Sequence, residues 1–394
     1  MAIGMEIFQE LTAESRRIVY LASLVWLGLL GSFIVNVQPM FLGGLAISFN
    51  LNAQQVGFVG GVELAGSCLA SLCAPFWLPR ANLRKVAAFA VSIAVIGNLG
   101  TTWVADYQLL LGLRFLTAFL GGGVIFALAF GLMGQVKNPD RLIAIAIICQ
   151  VLSLALGMVT IPVLLAQWQL SGMTLALALL FATGFVVLRL LPSRVPVQEA
   201  GAHLANLGKA EWMLPAALLL GLVMFSIGLG AIWAFLERMG AGAGFVMADI
   251  GSGLAISSLI GGIGALLAAV LGQRLGRLIP LTIGIGGQLL VCWLLSDSIT
   301  WPIYLAAATL FNFFWNLALP FLLGAIATAD RSGRFMVLIP AAEAGGFAMG
   351  PMIAGVFIVG DDYAAASLVS MLVFALCLVL LVPLVLRLKT AAWA

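Results

Sequence analysis

Charge is scarce in this sequence. Of 394 residues, 18 are Lys or Arg and 15 are Asp or Glu, 8% in all, where an ordinary soluble domain carries about 25%. With 63% hydrophobic residues and a mean hydropathy of +1.18, there is too little polar surface to wrap one core in water, which excludes a soluble globular fold. The one histidine, His203, lies in a polar stretch, so a histidine-based metal site is excluded and no metal or cofactor is expected. The five cysteines, Cys68, Cys73, Cys149, Cys292 and Cys377, sit in apolar segments with neither CxxC nor ligand spacing, and read as small buried hydrophobes. The motifs HExxH, GxGD and GxSxG are missing, so no catalytic residue is assigned and an intramembrane enzyme is set aside. Glycine runs such as 121–123 lack a following Lys-Ser/Thr and are not phosphate loops. Nothing in the charge pattern points to nucleic acid.

What is present in excess is long apolar runs and glycine. There are 45 glycines in 394 residues, against about 7% in soluble proteins. Runs of roughly 20 apolar residues fit membrane-spanning helices, whereas a porin-like barrel would alternate in segments of about ten. Twelve spans are predicted: 18–41, 54–76, 84–104, 107–134, 141–166 and 172–191, then 213–236, 246–271, 278–296, 301–327, 335–358 and 364–386. The first 17 residues hold three acids and no apolar core, and read as an amphipathic lead-in rather than a signal peptide. The longest polar stretch, 193–212, divides the chain into six spans on each side. The expected organisation is an N-terminal six-helix bundle over 1–192, a cytoplasmic linker over 193–212 and a C-terminal bundle over 213–394, an internal duplication.

Sixteen of the eighteen basic residues fall on segments at one end of this arrangement, among them Arg84, Lys85, Arg274, Arg277 and Arg387. By the positive-inside rule that end is cytoplasmic, and both termini with it. The exceptions are Arg114, within the fourth span, and Arg238, at the outer end of the seventh.

On these features the chain resembles the major facilitator superfamily over essentially its whole length. AVLGQRLGR (269–277) is similar to that family's GxLaDrxGR loop: Arg274, Gly276 and Arg277 match, and Gln273 replaces the usual Asp. FWLPRANLRK (76–85) is a more degraded copy that keeps Arg84 and Lys85. RFLTAFLGGG (114–123) is similar to the family's intramembrane arginine followed by small residues. GFAMGPMIAG (346–355) is close to a GxxxGPxxxG pattern that many family antiporters carry on the fifth span, here on the eleventh. The resemblance implies an all-α membrane protein in the major facilitator fold and alternating access, with a small-molecule substrate and no cofactor. It also implies that the basic loops, with Arg84, Lys85, Arg274 and Arg277, act as a gate on the cytoplasmic side.

An ionisable side chain at mid-span costs roughly 2.5–3.5 kcal/mol on insertion scales and needs a partner or a wet cavity. Counting from the predicted span ends at 1.5 Å per residue, Glu63 lies roughly 13 Å deep, Arg114 roughly 10 Å and Glu343 roughly 12 Å. Gly60, Gly66 and Ser67 share the helical face of Glu63, which points it into the bundle. Similar depth in the same half predicts a Glu63–Arg114 pair. It is either a fixed ion pair locking that half, or a coupling group in which burial favours the neutral acid and arginine the charged one. Glu343 has no basic residue within reach on its own helix and is the candidate for binding a proton or cation. Glu237 and Arg238 are expected as a salt bridge at the outer gate. In FNFFWN (311–316), Asn312 and Asn316 share one face, with Phe313 at its edge. Asn36 and Gln38 precede Pro39, which frees a backbone carbonyl beside them. These residues are candidates to line a substrate site; helix–helix hydrogen bonding is the alternative for the amides.

The expected function is secondary transport of a small organic, amphipathic or aromatic solute across the inner or plasma membrane, proton-coupled, by a protein working as a monomer. A lysolipid flippase of the same fold and multidrug efflux are the alternatives.

Overall fold

The structure, a computed structural model, describes residues 2–136, 139–194, 209–272, 274–297, 299–330, 334–360 and 362–391. Most of the predicted linker, 195–208, lies outside the described residues.

Each predicted span is a helix. The first six are α1 (Ala2–Asn36, continued as Gln38–Phe49), α2 (Ala53–Trp77), α3 (Leu83–Gly100), α4 (Tyr107–Leu116, continued to Met133), α5 (139–168) and α6 (170–182, extended by Gly184–Val187). The second six are α7 (Lys209–Gly242), α8 (Met247–Gly261 with Ile263–Leu271), α9 (Leu278–Leu294), α10 (Trp301–Ala329), α11 (Arg334–Phe357) and α12 (Ala364–Ala391). They form the two six-helix bundles of an all-α membrane protein. Among the described residues nine helical stretches are long and apolar enough to cross a membrane, and one of them, Arg141–Leu190, spans 50 residues. That stretch is two spans, because Gln169 at φ 54°, ψ −149° breaks it. The 17-residue α9 and the 24-residue α11, which carries Glu343 and two prolines, complete the twelve.

The α5–α6 connection is tighter than the predicted five-residue loop. A single non-helical residue makes the reversal, and Ser171 Oγ donates to the Trp168 carbonyl at 2.7 Å across the corner. Elsewhere polar side chains set the helix starts by taking backbone donors that have no partner in the first turn. Asn52 and Gln55 form a reciprocal capping box at α2, and Asn82 and Asp106 cap α3 and α4. Asn50, in the left-handed region at φ 51°, ends α1.

The bundles meet along α2–α11, α5–α8 and α1–α7. These contacts concentrate away from the basic loops. Gly57 of α2 packs on the Pro351 carbonyl of α11, and Gly251 of α8 on the Met158 carbonyl of α5, so closely that a Cβ at either glycine would overlap backbone. The α2–α11 contact reaches as far as Cys68, whose Sγ donates to the Ala341 carbonyl at 3.5 Å. Beyond it, toward the basic end, Leu72 and Phe76 of α2 are exposed. The molecule is thus sealed at the end opposite its arginine-rich loops.

Gly57→Val is expected to wedge α2 from α11. Overpacking of this kind costs about 1–3 kcal/mol, roughly 5- to 150-fold in the closed-to-open ratio. A cysteine placed at Val56, which is 1% exposed, in a cysteine-free background should gain reactivity to an impermeant maleimide. Equal labelling with and without Gly57→Val would contradict the seam.

Candidate functional site

Two sets of side chains occupy the middle of the molecule. The first centres on Arg114, which has no exposed surface. Its Nη2 and Nε both reach the Glu63 carboxylate of α2, Nε donating to Oε2 at 3.3 Å. Nη1 donates to Asn98 Oδ1 at 3.1 Å and Thr101 Oγ1 at 3.2 Å, both at the end of α3. The Phe41 ring of α1 covers the guanidinium at 4.8 Å, a cation–π contact. Three neighbouring segments thus satisfy one buried cation, with four of its five N–H donors engaged.

Local sequence explains how α4 delivers it. Immediately after Arg114 the helix widens into a π segment, Thr117–Gly122, where an extra residue in the turn shifts the register of the remaining helix. Thr117 Oγ1 donates back to the Leu113 carbonyl at 2.6 Å. The widened turn leaves a cavity of about 10 Å³ lined by Glu63, Ser67, Thr117, Ala118 and Gly122 with Gly31, Ile34, Val35 and Phe181, the size of about one water molecule. All its walls come from the first bundle.

The second set belongs to α7, α10 and α11. Trp233 stacks on Phe311 at 6.1 Å and 6°, and Trp315 stands edge-on to both. Phe347 of α11 lies 5.4 Å from Trp315. Trp233 Nε1 donates to the Val35 carbonyl of α1 at 3.3 Å, so the cluster reaches across the gap between the bundles. One turn before Phe347 is Glu343, half-buried. Among the described residues it has neither a hydrogen bond nor an ion-pair partner. Met336 and Pro340 on the same stripe of α11 are exposed. The exposed stripe of α11 thus runs from the basic end through Met336 and Pro340 toward half-buried Glu343, one turn short of the Phe347–Trp315 contact.

The sequence expected Glu63, Arg114 and Glu343 to work around one pocket lined by the α10 amides. The structure brings Glu63 and Arg114 together but seals them inside the first bundle, and it leaves Glu343 apart on α11. Asn312 is buried against Gly261 of α8. Asn312 Nδ2 donates to the Ala308 carbonyl at 3.0 Å and Asn316 Nδ2 to the Asn312 carbonyl at 2.7 Å, so both amides bond back to their own helix. Phe313 turns its carbonyl toward Gly264 and its ring toward Phe314. Asn36 donates to Ser32 Oγ at 3.3 Å. Gln38 Nε2 donates to the Gly60 carbonyl at 3.4 Å, while its buried Oε1 has no protein partner.

Glu237 and Arg238 pair at 2.9 Å, with Glu237 fully buried where Gly43 of α1 presses on its carboxylate. It lies inside the sealed end rather than on its rim. Arg84 Nε donates to the Leu191 carbonyl at 2.6 Å within its own bundle, Arg277 lies over Gly324 of α10, and Lys85 and Arg274 are exposed. These four make no described contact between the bundles. Asn98, Thr101 and Phe41 are not among the expected site residues, and the sequence offers no sign that Trp233, Phe311, Trp315 and Phe347 form one cluster. Phe311 and Trp315 carry the same i, i+4 spacing as the two amides, one step round the helix.

Removing one partner of a buried pair leaves a bare charge, at a cost of about 3–5 kcal/mol. Glu63→Gln and Arg114→Gln should each lower the unfolding midpoint sharply, and the double variant should lose less than the sum of the two. Strict additivity in that cycle would mean the pair contributes nothing.

The Major Facilitator Superfamily family model matches residues 21–328. No curated protein matches the chain in sequence. Among solved structures, it superposes on a bacterial homologue of the human lysosomal transporter Spinster, inward-facing and unoccupied, with a TM-score of 0.71 at 14% identity, covering 95% of this chain and 96% of that one. A mutant form of the nucleoside transporter NupG gives 0.71 at 13% identity over 94% and 99%. An autoinhibited POT family peptide transporter gives 0.68 at 13% identity over 95% and 96%. At such identities the likeness is one of fold. With the family match over most of its length and twelve helices in two bundles, this chain belongs to the major facilitator superfamily and is a membrane transporter, not an enzyme.

Proposed function

We propose that the protein is a secondary active transporter that moves a small organic solute by rocking one bundle, 1–192, against the other, 213–394, about the 193–212 linker. The observation that carries this reading is the combination of a sealed end and, on the exposed stripe of α11, a carboxylate without a partner among the described residues beside an aromatic cluster. The basic loops favour a cytoplasmic position for the open end and both termini in a cell membrane, so that the structure corresponds to an inward-open state. Nothing in the packing requires a second copy, and the monomer is taken as the working unit.

Glu343 is the coupling group in this reading. Among the described residues it is the one mid-span carboxylate whose charge no arginine balances, so a proton or a cationic group of the solute is what neutralises it. The half-exposed Trp315 face and Phe347 supply an apolar, π-rich surface beside it, suited to a ring-bearing or amphipathic solute. Gln38 Oε1 offers a buried acceptor on the opposite bundle. Glu63–Arg114 acts as the lock that keeps α2, α3 and α4 one rigid body while the bundles rock. Glu237, under Gly43, is the outer gate, since parting α1 from α7 would return that carboxylate to water.

The test begins with a thermal-shift screen of nucleosides, dipeptides and amphipathic ring compounds at two pH values, and continues with uptake of a stabilising compound into proteoliposomes. An imposed pH gradient should stimulate uptake by the parent protein. Glu343→Gln should lose that stimulation while keeping solute exchange without a gradient. Gradient-driven uptake that is the same in both removes Glu343 from coupling.

A further inference from the structure

A second cavity, of about 580 Å³, lies at the basic end of the first bundle, away from Glu343 and the aromatic wall. Four segments build it: the start of α1 with Arg17, Tyr20 and Leu21, the first turn of α3 with Arg84, the end of α4 with Leu132 and Gln135, and the chain leaving α6 at 190–192. Its volume is within the range of small-molecule sites. Its described lining holds two arginines and no acid.

The walls are fixed by hydrogen bonds. Arg84 Nε donates to the Leu191 carbonyl at 2.6 Å, and the Leu83 amide donates to the Ser193 carbonyl at 3.0 Å. These two bonds strap the chain after α6 to the start of α3, and Leu191 and Leu132 beneath are buried. The strap uses one N–H of Arg84, so the rest of its planar fork remains for a ligand. Arg17 is exposed and has no hydrogen bond or ion-pair partner among the described residues. Tyr20 and Gln135 add hydroxyl and amide groups at the wall, while Leu21, Leu132 and Leu190 supply an apolar floor.

We propose that this cavity binds an anionic phospholipid of the leaflet at the basic end, with its phosphate between Arg17 and Arg84. The charge selects an anion, and arginine's fork matches a phosphate. The leucine floor separates a lipid from a free phosphate ion, because only a lipid brings a glycerol backbone and methylenes to cover it. The position fits as well: Arg17 opens the membrane-crossing part of α1, the depth at which headgroups lie, and basic pockets between helices at that level bind anionic headgroups. The ligand would hold together α1, α3, α4 and the exit of α6, the point from which the chain leaves for the second bundle.

Purified protein would be melted in detergent with added phosphatidylglycerol, phosphatidylcholine or inorganic phosphate, and bound lipid counted by native mass spectrometry. Phosphatidylglycerol should raise the melting temperature and remain bound, while phosphatidylcholine and inorganic phosphate should do neither. Arg17→Gln removes an exposed charge that has no partner among the described residues and should weaken phosphatidylglycerol binding about fivefold. Leu190→Trp, which keeps both arginines but fills the 40%-exposed mouth position, should weaken it too. Arg84 is left intact because it also straps the wall. Equal stabilisation by phosphatidylcholine, equal stabilisation by inorganic phosphate, or undiminished phosphatidylglycerol binding in both variants overturns the proposal. Transport coupled through Glu343 is untouched by any of these outcomes.

Discussion

Arg114 carries a full charge with no surface exposed to solvent, and the first bundle is arranged around meeting that demand. A guanidinium has five donors in a fixed plane, and leaving them bare in hydrocarbon would be prohibitive. Glu63 on α2 takes the charge, Asn98 and Thr101 at the end of α3 take the remaining face, and Phe41 on α1 covers it. The partners come from three other segments, so the relative rotation and depth of α1, α2, α3 and α4 are set together. The π turn after Arg114 belongs to the same arrangement: it changes the register of α4 between the arginine and the glycines beyond it.

The second bundle is electrostatically the opposite. Its mid-span acid, Glu343, has no cation to balance it, and what stands beside it is aromatic. A rigid, neutralised bundle facing one that holds a single open charge is a workable division for a transporter. The sealed end depends on small residues at the seams, Gly57 and Gly251 among them, which let the helix backbones approach closely.

The basic loops make no contact between the bundles among the described residues. Arg84, Lys85, Arg274 and Arg277 sit at the end that is open, each bonded within its own bundle or exposed. A latch between the bundles at that end needs the other conformation, and Gln273, which stands where the family motif has an acid, falls outside the described residues. Arg84 meanwhile has a local role, strapping the exit of α6 to α3 and giving the adjacent cavity its positive wall.

Twelve helices, their approximate ends and the basic end were legible in the sequence, because hydropathy and charge alternation are properties read along the chain. So was the Glu63–Arg114 pair, since similar depth and small-residue faces leave each few alternatives. What the sequence could not supply was rotation about the helix axes across the two bundles. Asn312 and Phe311 are neighbours in one hydrophobic run, yet only packing decided that the amide would face Gly261 of α8 and the ring would join Trp233 near the gap. Likewise the outward depth of Glu237 suggested an exposed rim, and the close approach of Gly43 buried it. Spacing along a helix fixes which residues share a face; which neighbour that face meets depends on how all twelve helices fill the same volume at once.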